Sequence, residues 1–140
     1  MKKILLVLLM LSALFYAEDK EKARETFKQG VELANKGRYD EAIVMLKLVL
    51  EYGSLNADAH LNIAVAYANK KQYDEAITEG EMAAKAQPDS ISTQYLLAML
   101  YEKKNNNEKA LAAWQKVLLL GPRETMKELA EKHVKKLKGN

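Results

Sequence analysis

Small residues recur in this chain at one fixed interval. Gly30, Ala64 and Ala98 stand 34 positions apart, as do Ala42, Ala76 and Ala110, and again Val49, Ala83 and Val117. Three series in one register mean that a single structural unit is used three times. With Ala23, Ala57 and Ile91 as first positions, the seventh, eighth and eleventh residues read Gln29-Gly30-Leu33, Ile63-Ala64-Tyr67 and Leu97-Ala98-Tyr101. Spacings of 3 and 4 put these on one face of a helix, where the small residue admits a second helix at close range.

That second helix opens with Tyr39-Asp40-Glu41-Ala42-Ile43 in the first unit and Tyr73-Asp74-Glu75-Ala76-Ile77 in the second; the third has Asn107-Glu108-Lys109-Ala110-Leu111. Asp40 and Asp74 are placed to accept orphan backbone hydrogen bonds and to complement the helix dipole. Gly37 and Asn105-Asn106 read as turns inside a hairpin, whereas Gly53-Ser54, Pro88 and Pro122 close the units.

From Ala23 to Pro122 these positions resemble the tetratricopeptide repeat. The resemblance implies an all-α, right-handed α-solenoid of three helix-turn-helix hairpins at 23–56, 57–90 and 91–122. Departures are informative. Thr26 and Gln29 are polar, as suits a terminal unit with one exposed side. Gly80 stands where a large aromatic is usual and Trp114 holds that place in unit three. A neighbouring side chain, with tyrosine the first candidate, is therefore expected to fill the space over Gly80. Asn107 replaces the tyrosine that opens the other second helices. After Pro122 the period breaks. Met126, Leu129, Ala130, His133, Val134 and Leu137 make an apolar stripe backed by charged residues, which makes 123–140 a capping helix of the kind a solenoid end requires.

The first residues are a different text. Lys2 and Lys3 precede an apolar run from Ile4 to Leu11, then Ser12 to Ala17, and acid arrives at Glu18-Asp19. This is the pattern of a secretory signal peptide over 1–17, followed by a short segment at 18–22. As a helix, Ile4 to Ala17 would span about 21 Å, short of the roughly 30 Å hydrocarbon core, which favours a removable leader over a spanning anchor. Ala17 suits the position before the cut, but Phe15 is bulky where a small residue is preferred, so an uncleaved tether stays open. The expected location is periplasmic or otherwise extracytoplasmic. The chain has no cysteine, so neither a disulfide nor a lipid-bearing cysteine is expected. Without Lys2 and Lys3 the remaining 20 basic and 19 acidic residues nearly cancel, which gives no support to nucleic acid or an anionic membrane surface as partner.

Catalytic groups do not converge. His60 falls at a fourth position, ordinarily a packing site, and His133 lies on the inner stripe of the capping helix. Asp58 and His60, two apart, diverge on a helix, and no glycine-rich phosphate loop is present. No catalytic residue, metal or cofactor is expected, and the chain is not expected to be an enzyme. The lysine-rich tail from Lys132 to Lys138 reads as a solvated face whose cations suit a helix C-terminus.

The family resemblance implies a concave groove lined by the second, fifth, ninth, twelfth and thirteenth residues of each first helix. The candidate partner-binding residues are Phe27, Val31, Leu61, Asn62, Val65, Asn69, Tyr95, Met99 and Lys103, with Arg24, Asn35, Asp58 and Glu102 adding to a polar rim. The ninth positions Val31, Val65 and Met99 are all apolar, which would suit an amphipathic helix or an apolar extended peptide. Equally, some of these side chains could pack on adjacent helices or under the N-terminal segment from Glu18 to Glu25. The carboxylate clamp of one tetratricopeptide subclass would fall on Phe27, Val31, Asn62, Ser92 and Leu96, and only Asn62 fits. The expected function is a protein-interaction adaptor in the cell envelope, monomeric or weakly oligomeric. The alternative is a structural subunit acting through self-association or docking of the capping helix.

Overall fold

The computed structural model describes residues 2–139. Seven helices follow one another: α1 (Lys2–Asn35), α2 (Tyr39–Glu51), α3 (Asn56–Asn69), α4 (Tyr73–Ala86), α5 (Ile91–Lys103), α6 (Asn107–Leu119) and α7 (Glu124–Leu137). No strand occurs among the described residues. Each helix packs on the next in the chain, and α1 touches α3 as α3 touches α5, which makes an α-solenoid of three hairpins ended by α7.

Local chemistry repeats with the register. Gly37, Lys71 and Asn105 hold the left-handed conformation that ends the first helix of each hairpin, with φ of 75°, 61° and 56°. At each turn the next residue's N–H reaches back five places: Arg38 to Leu33 at 3.0 Å, Gln72 to Tyr67 at 3.0 Å and Asn106 to Tyr101 at 2.8 Å. These bonds satisfy carbonyls that the helix end would otherwise orphan. Ser90 caps α5, its Oγ accepting from the Thr93 N–H at 3.3 Å, and the Asn106 side chain caps α6 through the Lys109 N–H at 3.1 Å.

The small residues sit where the helices meet. Ala64, Ala98, Ala42, Ala76 and Ala110 are fully buried, as are Val49, Ala83 and Val117. At Gly30 an added Cβ would lie 2.8 Å from Leu46 Cγ, so α1 and α2 approach closely because no side chain stands between them. Trp114, Leu46 and Ile63 are fully buried around these seams, each contributing roughly 1.5–3 kcal/mol by removal from water.

Two expectations are corrected. The space over Gly80 is filled by Leu97, whose Cδ2 would lie 2.8 Å from an added Cβ, and not by a tyrosine. Asp40 and Asp74 do stand in the first turns of α2 and α4, where the dipole favours a carboxylate, but they accept no backbone hydrogen bond there. The side chains of the residues before their helices, Arg38 and Gln72, make no capping bond either. The two carboxylates instead take lysines of the following unit, Lys70 on Asp40 and Lys104 on Asp74, the latter at 2.9 Å. Both aspartates are mostly solvated, so each pair contributes under about 1 kcal/mol.

At the N-terminal end, α1 runs without interruption through Ala17 and Glu18. Ile4, Leu14, Phe15 and Tyr16 are each about two-thirds exposed, and none of the other helices covers them. No helix is long and apolar enough to cross a membrane, among the described residues.

Two substitutions with opposite signs test this packing by urea unfolding. Ala98→Leu should lower stability by about 1–3 kcal/mol through overpacking at a closed seam. Lys71→Gly should raise it by about 0.5–1 kcal/mol, because the exposed lysine occupies a left-handed conformation that glycine adopts without steric cost.

Candidate functional site

Four of the nine candidate groove residues converge in one place. Val65 and Asn69 of α3, with Met99 and Lys103 of α5, line an open cleft of about 270 Å³. Ala68, Leu96, Leu100 and Tyr73, the first residue of α4, complete it. Its floor is aliphatic, and Val65 is 38% exposed although apolar. The Asn69 side-chain amide donates to the Val65 carbonyl at 2.8 Å, which holds its orientation on α3. Lys103 makes no ion pair with any described residue, so the rim carries one uncompensated cation.

The other candidates are placed elsewhere. Phe27 packs against the clusters around Leu46 and Val49. Tyr95 meets the Trp114 ring edge-on, with centroids 5.5 Å apart, and so supports the core from the α5 side. Val31 and Leu61 are half-buried outside the cleft. Asn62 donates to the Asp58 carbonyl on its own helix at 2.9 Å. Tyr73, Leu96 and Leu100 were not among the candidates. Tyr73 lies two residues after the left-handed Lys71 and opens a second helix, which a pattern confined to first helices does not reach.

Glu102 does not sit on a free rim. Its carboxylate accepts the Trp114 indole N–H at 2.7 Å, His133 Nδ1 at 2.5 Å and Lys136 Nζ at 3.3 Å. The His133 ring stacks on Trp114 with centroids 4.5 Å apart. One carboxylate thus ties α5, α6 and α7 together. Burial pushes the Glu102 carboxyl up, but hydrogen bonds from Trp114, His133 and Lys136 outweigh it and hold the group below its ordinary range. His60 makes a comparable pair, its Nδ1 lying 2.7 Å from Glu79 Oε2. Both histidines are thus paired with part-buried glutamates of another helix. No group of three or more His, Asp or Glu side chains is arranged to hold a metal among the described residues.

Family models described as tetratricopeptide repeat match residues 27–91 and 92–120. Solved structures share the fold. The first tetratricopeptide domain of Spaghetti (RPAP3), bound to the HSP90 peptide SRMEEVD, matches with a TM-score of 0.76 at 21% identity, covering 85% of this chain and 92% of that one. The Yersinia enterocolitica type III secretion chaperone SycD, in complex with a peptide of the translocator YopD, has a TM-score of 0.76 at 15% identity, with 84% and 93% covered. The Arabidopsis OM64 tetratricopeptide domain gives 0.75 at 17%, with 84% and 98% covered. No curated protein sequence matches this chain.

The Glu102 hub has a pH signature. A carboxyl whose folded pKa is depressed contributes stability above its unfolded value and loses it as pH falls through the folded value. Glu102→Gln should therefore cost stability at about pH 7, and the gap to the parent should be smaller at about pH 3, read from urea midpoints. A gap of equal size at both pH values would refute the ionised hub.

Proposed function

The chain belongs to the tetratricopeptide repeat family, and on that premise we propose that it is a non-enzymatic adaptor that recruits a partner protein by a peptide or helix. The carrying observation is the open cleft of Val65, Asn69, Met99 and Lys103, an apolar floor beside an oriented amide and an unpaired cation. Structures of the same fold hold peptides of partner proteins, among them the HSP90 and YopD peptides named above, which supports this mode of use. Burial of apolar partner side chains supplies the affinity, and Asn69 and Lys103 set the register. Two solenoid junctions offer limited area, so binding is transient, with Kd in the region of 1 μM, or about −8 kcal/mol.

The proposed place of action is outside the cytoplasm. The basic head, apolar run and small residues of positions 1–17 supply the export reading, and the exposed side chains of Ile4, Leu5, Leu6, Met10, Leu14, Phe15 and Tyr16 fit a leader that is removed rather than a structural part of the stack. Intact-mass analysis of the protein purified from cells should give a chain beginning at Glu18; a full-length mass would mean a tethered adaptor instead.

The groove is tested by Val65→Asp and Met99→Asp. Each should abolish capture of the partner that the unaltered chain retains from envelope extracts, with helical circular dichroism unchanged. Retention of that partner by both variants would place binding elsewhere.

A further inference from the structure

On α5, Gln94, Leu97 and Tyr101 lie on the face opposite Leu96, Met99 and Lys103, since each member of one set is two residues, or about 200° round the helix, from a member of the other. This second face borders a separate cleft of about 420 Å³ between α4, α5 and α6. Leu97, Ala84, Ala112 and Ala113 form its apolar walls, and Gln94 adds an amide.

The internal repeat shows what this cleft lacks. Thirty-four residues earlier, the places of Ala84, Gln94 and Ala113 are held by Leu50, His60 and Glu79. At that first junction the His60–Glu79 pair closes the trough, both side chains under a fifth exposed, and Leu50 packs into the core beside it. At the second junction two alanines replace the leucine and the glutamate. The space is left open, and Gln94 makes no side-chain hydrogen bond to any described residue.

Charge selects among occupants. Glu81 at the cleft edge accepts from the Tyr101 hydroxyl at 2.6 Å and Lys109 Nζ at 3.1 Å, and the Lys109 ammonium lies 5.2 Å from the Tyr101 ring centroid. The two charges satisfy each other, so a charged guest would find no counter-ion. What is missing relative to the first junction is aliphatic bulk and a partner for one amide.

We propose that the cleft between α4, α5 and α6 is a second binding site, which takes an uncharged, leucine-sized aliphatic side chain of a partner polypeptide. The Gln94 amide holds the peptide group next to that side chain, giving and receiving one hydrogen bond. The site is independent of the Val65–Met99 cleft and does not rest on that reading. Together the two faces let one short solenoid hold two segments at once.

The probe is N-acetyl-leucine N-methylamide, titrated into the full-length chain and followed by the NMR signals of the Gln94 side-chain amide and the Ala84 and Ala113 methyl groups. Saturable shifts with Kd of the order of 1 mM are expected, and N-acetyl-glycine N-methylamide should give none. Ala84→Leu fills the cleft with the residue of the first junction, and the double change Gln94→His, Ala113→Glu transplants its polar pair. Either should weaken the leucine probe at least tenfold with helical circular dichroism retained, whereas Val65→Asp should leave its binding unchanged. Absence of saturation, equal response to the glycine probe, or undiminished binding by the folded Ala84→Leu variant would overturn the proposal.

Discussion

Everything in this fold depends on how closely two helices can approach. At Gly30 an added Cβ would come within 2.8 Å of Leu46 Cγ, and at the same repeat position Ala64 and Ala98 are fully buried with only a methyl group each. Small residues on both helices of a hairpin bring the backbones together, and larger residues such as Leu46, Ile63 and Trp114 fill the wedges between hairpins. Packing of this kind extends only to the nearest neighbours, so the stack grows in one direction and leaves long faces open along its sides.

Polar interactions follow the same periodicity but play a different part. Lys70 on Asp40 and Lys104 on Asp74 are surface pairs, screened by solvent and salt, and they add register more than stability. Tyr67 and Tyr101 reach Lys47 and Glu81, two residues of opposite charge at one repeat position. The Glu102 hub is of another order, because it is largely buried and accepts three donors. It stands where the stack must stop. The last hairpin would otherwise present the Trp114 side of its core to water, and α7 covers it with Ala130 and Leu137 while His133 and Lys136 fasten to Glu102.

The repeat itself was legible because periodic burial leaves a periodic record: a position that must be small in one unit must be small in all three. Helix order, the hairpin turns at Gly37 and Asn105 and the stripe of α7 could all be read this way. The turn at Lys71 could not, since lysine carries no signal for a left-handed backbone and is tolerated there only because the surrounding hairpin imposes the conformation. The roles of Asp40, Asp74 and Glu102 were also hidden. Each depends on a side chain about 30 positions away, and a helix-end rule sees only the local backbone. For the groove, the repeat pattern named four residues that line one cleft, but it did not give the depth of each residue along the helix. Phe27 and Tyr95 turned inward because adjacent rings and wedges were there to receive them.

In a molecule built from copies, specificity resides where the copies differ. A strictly repeated stack would present the same surface at each junction and could distinguish one partner from another only by length. Here the thirteenth positions are Asn35, Asn69 and Lys103, so the cation appears once among them, in the cleft between α3 and α5. On the opposite face, His60 and Glu79 close the first junction while Gln94 and Ala113 leave the second open. Both departures fall between the second and third units, the junction flanked on one side by a complete hairpin and on the other by the hairpin that Glu102 locks to α7. A binding surface gains affinity from groups held in place before the partner arrives. The junction next to the fastened end is therefore the part of this stack where an opened cleft and an unpaired cation lose least to motion.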